Sequence, residues 1–557
     1  MPVPGKGSKL MNHRRSQRLL AISAAAALLT GALAACGAGK KTNNQPSGGG
    51  TQGTGAGKSI TIGTTDQVVS LDPAGSYDFG STTLETQVYQ YLMAFPAGGG
   101  PATPDAAESC SFTKPTEYTC KLKAGQKFSN GDPLTAQDVV FSYQREVKIN
   151  DPNGAASLLA NMKSVAAPDD MTVVFTLNNA NDQTWPFILG TDAGPIVDSK
   201  VFPADKLLPD QQAIGSGPYK ITSYNKNQLV QLESNPNYTG SNKPKTGKIA
   251  IKYYTSGQNL KLDIQSGAID IAYRSLSATD IESLKSAKDT KIVTGPGGEL
   301  RYIVFNFKTM PGGTDAQKRA VRRAVAYSVD RQALSDKVYK GTYKPAFSMI
   351  PDGVTGHIDA FKDEFGAAPD KAKATAELQQ AGVKTPVSLN IEYAIGHYGP
   401  SSDQEYNEVK RQLEGTGLFK VKLQSTEWDT YSDERVKDAY PVYQLGWFPD
   451  FPDADDYLSP FLVEDNFVHA HYCDPKATNR PCDSDKMSEP LKTEETTTGS
   501  GRTAAFEQIQ KTLASGQLPY LPLLEGEQVA ITHGNVTGVD QTLDPSFLFR
   551  TWLFSKS

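Results

Sequence analysis

The sequence predicts an α/β protein built in more than one lobe. Three observations lead there. The chain has 557 residues, more than one hydrophobic core normally serves, so two or three domains are expected. Short apolar runs of strand length alternate with helical patterns in a β-α-β rhythm. No repeat of solenoid period runs through the chain.

The first segment lies outside that fold. "MNHRRSQRLLAISAAAALLTGALAAC" opens with Arg14, Arg15 and Arg18, then runs through 17 uncharged, mostly apolar residues, Leu19 to Ala35. That is short for a membrane span and suits a secretory signal, residues 1–35. Met11 offers an alternative start, with the ten residues before it as leader. The signal ends in "LAAC", a small-small-Cys ending that resembles a bacterial lipobox, so Cys36 is expected to carry lipid and to head the mature chain. Residues 37–58 are rich in Gly, Ser, Thr and Asn and hold no core-forming residue, which makes 36–58 a flexible tether. Its "GTGAGKS" imitates a phosphate loop, but Gln52 stands where the first glycine is required.

The folded part begins with "SITIG" (59–63) as a strand, then the loop "SLDPAGSYDFGSTT" and a helix through "LETQVYQYL". Residues 118–128 alternate as a strand, and "SNGDP" turns the chain. "LTAQDVVFSYQREV" starts a helix in which Thr135 caps and Asp138 completes a capping box. Two strand-like runs follow within 214–240, and residues 249–273 add a strand and a helix. "RYIVFNF" (301–307) is too apolar for an exposed edge. In the helix after it, Val321, Ala324, Val325 and Ser328 share a face, Asp330 restarts the helix and Gly341 stops it. "VSLNIEYA", "DQEYNEVKRQLEGTG", "FKVKLQS" and "YPVYQLGW" continue the β-α-β rhythm.

Charge and cysteine usage narrow the partners. Removing residues 1–35, with five basic and no acidic residues, takes the formal net charge from −5 to −10. That argues against nucleic acid or an anionic membrane face. Beyond Cys36, the cysteines fall in two local pairs, Cys110 with Cys120 and Cys473 with Cys482, which suggests two short disulfide loops in an exported chain. A metal site would need closer ligand spacing; only "HAHYC" (His469, His471, Cys473) comes near, and no metal or other cofactor is expected.

No Gly-x-Ser-x-Gly elbow and no His-Glu-x-x-His occurs, so no catalytic residues are assigned. The densest chemistry is "YQLGWFPDFPDADDYLSPF", where Asp450, Asp453, Asp455 and Asp456 crowd into seven positions. As a calcium loop from Asp453 it fails, with Tyr457 at the fifth position, Leu458 at the glycine position and Pro460 at the eighth. Asp453, Asp455 and Asp456 are read as a solvated acidic turn. Asp450 differs, because it follows Trp447 at the end of a strand, where open α/β sheets place ligands.

Several stretches, taken in order, resemble the family 5 extracellular solute-binding proteins, receptors of peptide-type ABC importers. They are "LKAGQKFSNGDPLTAQDVVFSYQR", "GSGPYKITSYNKNQLVQLESNPNYTG", "LDIQSGAIDIA", "FNFKT…KRAVRRAVAYSVDRQAL…VYKGTYKPAFSMIP" and "LGWFPDFPDADDYLSPF", spread over residues 59–557. The resemblance implies a two-lobed binding-protein fold with a ligand cleft between lobes. Lobe I would be 59–302, with an inserted sub-domain at about 95–210, and would be completed by 519–557; lobe II would be 303–518. The crossings near Asn306 and Tyr520 would form the hinge.

In peptide-binding members a Gly-Trp-x-x-Asp loop receives the peptide ammonium; here it matches Gly446, Trp447 and Asp450, with Phe448 beside them. The backbone-binding positions match Tyr77, Asp78 and Phe79, while the loop departs from the family in having Ala454 where proline is usual. The implied function is capture of short peptides, two to five residues or longer, by a monomeric, lipid-anchored, extracytoplasmic protein serving an ABC permease and ATPase. A metal chelate, an opine or an oligosaccharide would be alternative cargo, and a secreted hydrolase the alternative class.

Overall fold

A computed structural model describes residues 59–557, apart from 275, 400, 463–467, 469, 475 and 477–479. The expected signal, Cys36, the tether and His469 lie outside the described residues. Eleven strands form one large mixed sheet. From the amino-terminal half come β1 (Ile60–Thr64), β2 (Tyr219–Asn225), β3 (Leu229–Ser234), β4 (Lys248–Tyr253) and β5 (Ile271–Tyr273). The rest are β6 (Thr290–Phe305), β7 (Tyr343–Pro345), β8 (Val387–Ala394), β9 (Phe419–Thr426), β10 (Val442–Trp447) and β11 (Tyr520–His533). Across the sheet the order is β9-β8-β10-β6-β11-β5-β1-β4-β3-β2, with β7 beside β11.

β6 and β11 carry the chain through both lobes. They pair antiparallel from Thr290↔His533 to Val304↔Tyr520, with a register shift between Pro296 and Leu300. β11 joins β5 on the first side, and β6 joins β10 on the second through Leu300–Phe305. The apolar cores divide at the same place. Val293 and Ala530 pack with Ile60, Ile251 and Ile271, whereas Leu300, Val304, Tyr520 and Leu524 pack with Leu389, Val442 and Leu445. The exchange of core therefore lies inside the paired strands, between Val293 and Leu300 on β6 and between Leu524 and Ala530 on β11, which corrects the expected crossings near Asn306 and Tyr520: Tyr302 and Tyr520, expected in lobe I, pack in the second core. A third core fills a separate four-stranded sheet of Ala107–Lys114, Glu117–Leu122, Thr172–Leu177 and Met162–Asp169. Cys110 and Cys120 oppose each other there and are bonded at 2.05 Å, and Cys473 is bonded to Cys482.

The helices follow their caps. α1 (Phe79–Val88) starts where Asp78 accepts the Ser81 N–H at 2.9 Å, earlier than the expected start at Leu84. In α2 (Ala136–Ile149) the Asp138 carboxylate accepts the Thr135 N–H at 2.9 Å, the expected capping box. α3 (Asp315–Ala326) buries Val321, Ala324 and Val325; Asp330 caps the next turn through the Ala333 N–H, and Gly341 takes φ +80°, a left-handed stop open to glycine. α4 (Ser402–Gly415) crosses from β8 to its parallel partner β9, burying Tyr406, Val409 and Leu413 at helical spacing.

Candidate functional site

β10 ends at Trp447, and the loop after it reaches across to the first lobe. Gly446 is required here, since a Cβ at that position would meet the Tyr398 ring at 2.8 Å. Beyond it, the Tyr77 hydroxyl donates to Asp450 Oδ1, and Phe448 meets Phe79 edge to face with centroids 5.7 Å apart. Phe451 stacks on Phe187 of the inserted sub-domain at 5.8 Å. Three contacts thus hold one loop of lobe II against lobe I.

Between them is a cavity of about 410 Å³. Tyr77, Asp78, Phe79, Trp447, Phe448 and Asp450, together with Gly446, all line it, so the sequence-predicted ligand residues converge. Sequence reasoning missed other residues of the wall, among them Thr82, Asp192, His397, Tyr398, Trp428 and Phe547. His397 stacks flat on Trp428 at 3.4 Å, and burial pushes its pKa down to about 4, so it is a neutral aromatic surface at pH 7. No signal in "GTDAGP" or "IGHYGP" marks Asp192 or His397 beyond the glycines around them.

The four aspartates separate by partner. Asp453 is clamped by Arg502 with both contacts at 2.7 Å. Asp455 accepts from the Ser459 hydroxyl. Asp456 accepts the Trp447 indole N–H at 3.0 Å and the Asp450 N–H at 3.1 Å, which fixes the loop behind the ligand residues. The reading of these three as a solvated turn is therefore corrected: Asp453 and Asp456 are buried, and each has a structural partner. Asp450 alone points its carboxylate at the cavity, with a phenol as its only side-chain donor among the described residues. Burial raises its pKa, and the Tyr77 hydrogen bond pulls it back down. His471, from the only near-metal cluster, instead bonds Asp438 at 2.5 Å and Asp474 at 3.0 Å.

Residues 102–468 match the family model described as bacterial extracellular solute-binding proteins, family 5 middle. The chain is 28% identical over 419 residues to the probable D,D-dipeptide-binding periplasmic protein DdpA of Escherichia coli, covering 73% of this chain and 78% of DdpA. It is 26% identical over 412 residues to heme-binding protein A of Haemophilus influenzae, covering 69% and 73%. The oligopeptide-binding protein AppA of Bacillus subtilis, solved with a nonapeptide, shares the fold with a TM-score of 0.67 at 22% identity over 90% of this chain and 99% of that one. With well over half its length matched to the family and the two-lobed fold around it, this chain belongs to the bacterial extracellular solute-binding proteins of family 5.

Proposed function

We propose that the protein captures short peptides in the interlobe cavity and delivers them to the permease of an ABC importer, held at the membrane through lipid on Cys36. The observation that carries the reading is Asp450: a half-buried carboxylate facing the cavity with no basic partner among the described residues. An α-ammonium fits that need by charge and by hydrogen bonding. Tyr77 orients the carboxylate, while Trp447 and Phe448 exclude water and strengthen the pair. The peptide backbone lies along the cleft as an extended segment. DdpA and AppA, by their names, bind peptides. The haem-binding relative keeps non-peptide cargo as the second reading.

Removing one partner of a buried, hydrogen-bonded charge pair costs about 2–5 kcal/mol. Asp450→Asn should therefore weaken peptide binding by about 30-fold or more, and N-acetylation of the peptide should do the same in the parent. Calorimetry decides, and equal binding of free and acetylated peptides overturns the reading. The anchor is tested separately: Cys36→Ser should move the chain from the membrane fraction to the medium.

A further inference from the structure

Three aspartates line the cavity, of which Asp78 caps α1 by accepting the Ser81 N–H. Besides Asp450 on the lobe II side, Asp192 lines it from the inserted sub-domain, and no Lys or Arg is among the lining residues. Asp192 has no ion pair among the described residues; both its oxygens lie 2.9 Å from one donor, the Thr82 hydroxyl. That hydroxyl has a single proton, and the Asp78 carbonyl competes for it at 2.8 Å. Asp192 is therefore short of donors. Behind it, on α1, Glu85 is wholly buried, accepts from Ser76 at 2.5 Å through one oxygen and has no partner on the other among the described residues. Burial holds the Glu85 carboxyl well above the usual carboxylate range, and the nearby charge of Asp192 pushes it the same way. Arg274 is engaged elsewhere, 4.3 Å over the outer face of Phe79 and paired with Asp66.

Elsewhere in the cavity the walls are aromatic: Tyr91 and Phe95 join the rings already described. Ring faces and carboxylates together favour cations and disfavour anions. One ammonium satisfies Asp450 and leaves Asp192 uncompensated. We infer that Asp192 with Thr82 forms a second cation subsite, and that the preferred ligands are peptides carrying a basic side chain as well as a free amino terminus. The inference rests on the peptide reading above and specifies its substrate class.

The test uses tripeptides of alanine in which one position, in turn, is lysine or norleucine, which has no charge and a similar stem. Calorimetry on the parent protein should show the lysine peptide at the favoured position binding about tenfold or more tightly than its norleucine twin. Asp192→Asn should bring that ratio close to one. Equal affinities for lysine and norleucine at every position in the parent overturn the second subsite, as does a ratio that survives Asp192→Asn. Those results leave peptide capture standing. If no peptide of either kind binds the parent, peptide capture fails and the second subsite falls with it.

Discussion

Two groups of charge lie close to the cleft, one buried and one half-buried, and they are built on opposite principles. Around Arg301, on β6, each carboxylate is paired with the guanidinium, although Glu405 Oε1 has no hydrogen-bond partner among the described residues. Its guanidinium contacts Glu299 and Glu405, both at 3.0 Å. It also donates to the Tyr339 hydroxyl at 2.8 Å, the Tyr343 hydroxyl at 3.1 Å and the Tyr398 carbonyl. The two tyrosines in turn donate to Glu405 at 2.5 Å and Glu299 at 2.6 Å. In the cavity wall, Asp450 and Asp192 have hydroxyl donors alone. A satisfied network holds backbone in place; an unsatisfied one stores demand for a partner that arrives later. Compensation by a cation is what separates the Arg301 cluster from the cavity wall.

The largest expected effect breaks the satisfied side. Arg301→Ala strands two buried carboxylates, and losing one member of such a cluster costs about 3–5 kcal/mol. Denaturant unfolding should show that loss directly. A variant as stable as the parent would mean the network contributes little, and the contrast with the cavity would collapse.

Asp450→Asn sharpens the same contrast from the other side. It removes a charge that the empty protein does not compensate, while an amide oxygen can still accept from Tyr77. The empty variant should melt no lower than the parent, and up to a few degrees higher, even though its affinity for peptide falls. A drop in melting temperature comparable to that of Arg301→Ala would show Asp450 to be a structural charge.

How much of this was legible in the sequence depends on distance along the chain. The β-α-β segments were, because burial at strand and helix periods is local: Val387–Ala394, Ser402–Gly415 and Phe419–Thr426 match their expected positions closely. The place of Asp450 on the cavity wall after a strand end was legible because Gly446, Trp447 and the strand end all sit within a few residues of it. The start of α1 was obscured by "FGSTT", whose weak helix formers hide a helix nucleated by the Asp78 cap. Asp453 looked solvated because its partner, Arg502, is 49 residues away. Asp192 was invisible for the same reason: nothing near it in the chain says that a loop of lobe II will arrive opposite.

The smallest expected effect concerns pH, and stems from the protons that uncompensated carboxylates retain. Burial pushes Asp192 up to about 7, and Glu146 and Glu525 up to about 8. Glu146 is the plainest case: its neighbour Arg145 is committed to Asp72 at 2.7 and 2.5 Å, and Glu146 Oε1 has no partner among the described residues. In the unfolded chain these groups ionise near pH 4. Between that value and their raised folded values the native state binds more protons, so stability falls as pH rises. His397 acts in the opposite sense, since a pKa lowered to about 4 adds stability as pH rises, but only until the unfolded histidine is neutral, near pH 6.5. Above that the histidine contribution fades as its unfolded form loses the remaining proton, the carboxylates outweigh it, and the melting temperature of the empty protein should decline from about pH 6.5 to 8. Glu146→Gln, which cannot ionise, should remove part of that slope while leaving the remainder, from Asp192, Glu525, Glu494 (pushed up by burial to about 10) and the buried Glu85 and Asp456. A melting temperature that rises over this interval, or a slope untouched by Glu146→Gln, would mean these carboxylates are ionised in the folded protein and compensated by groups other than those described.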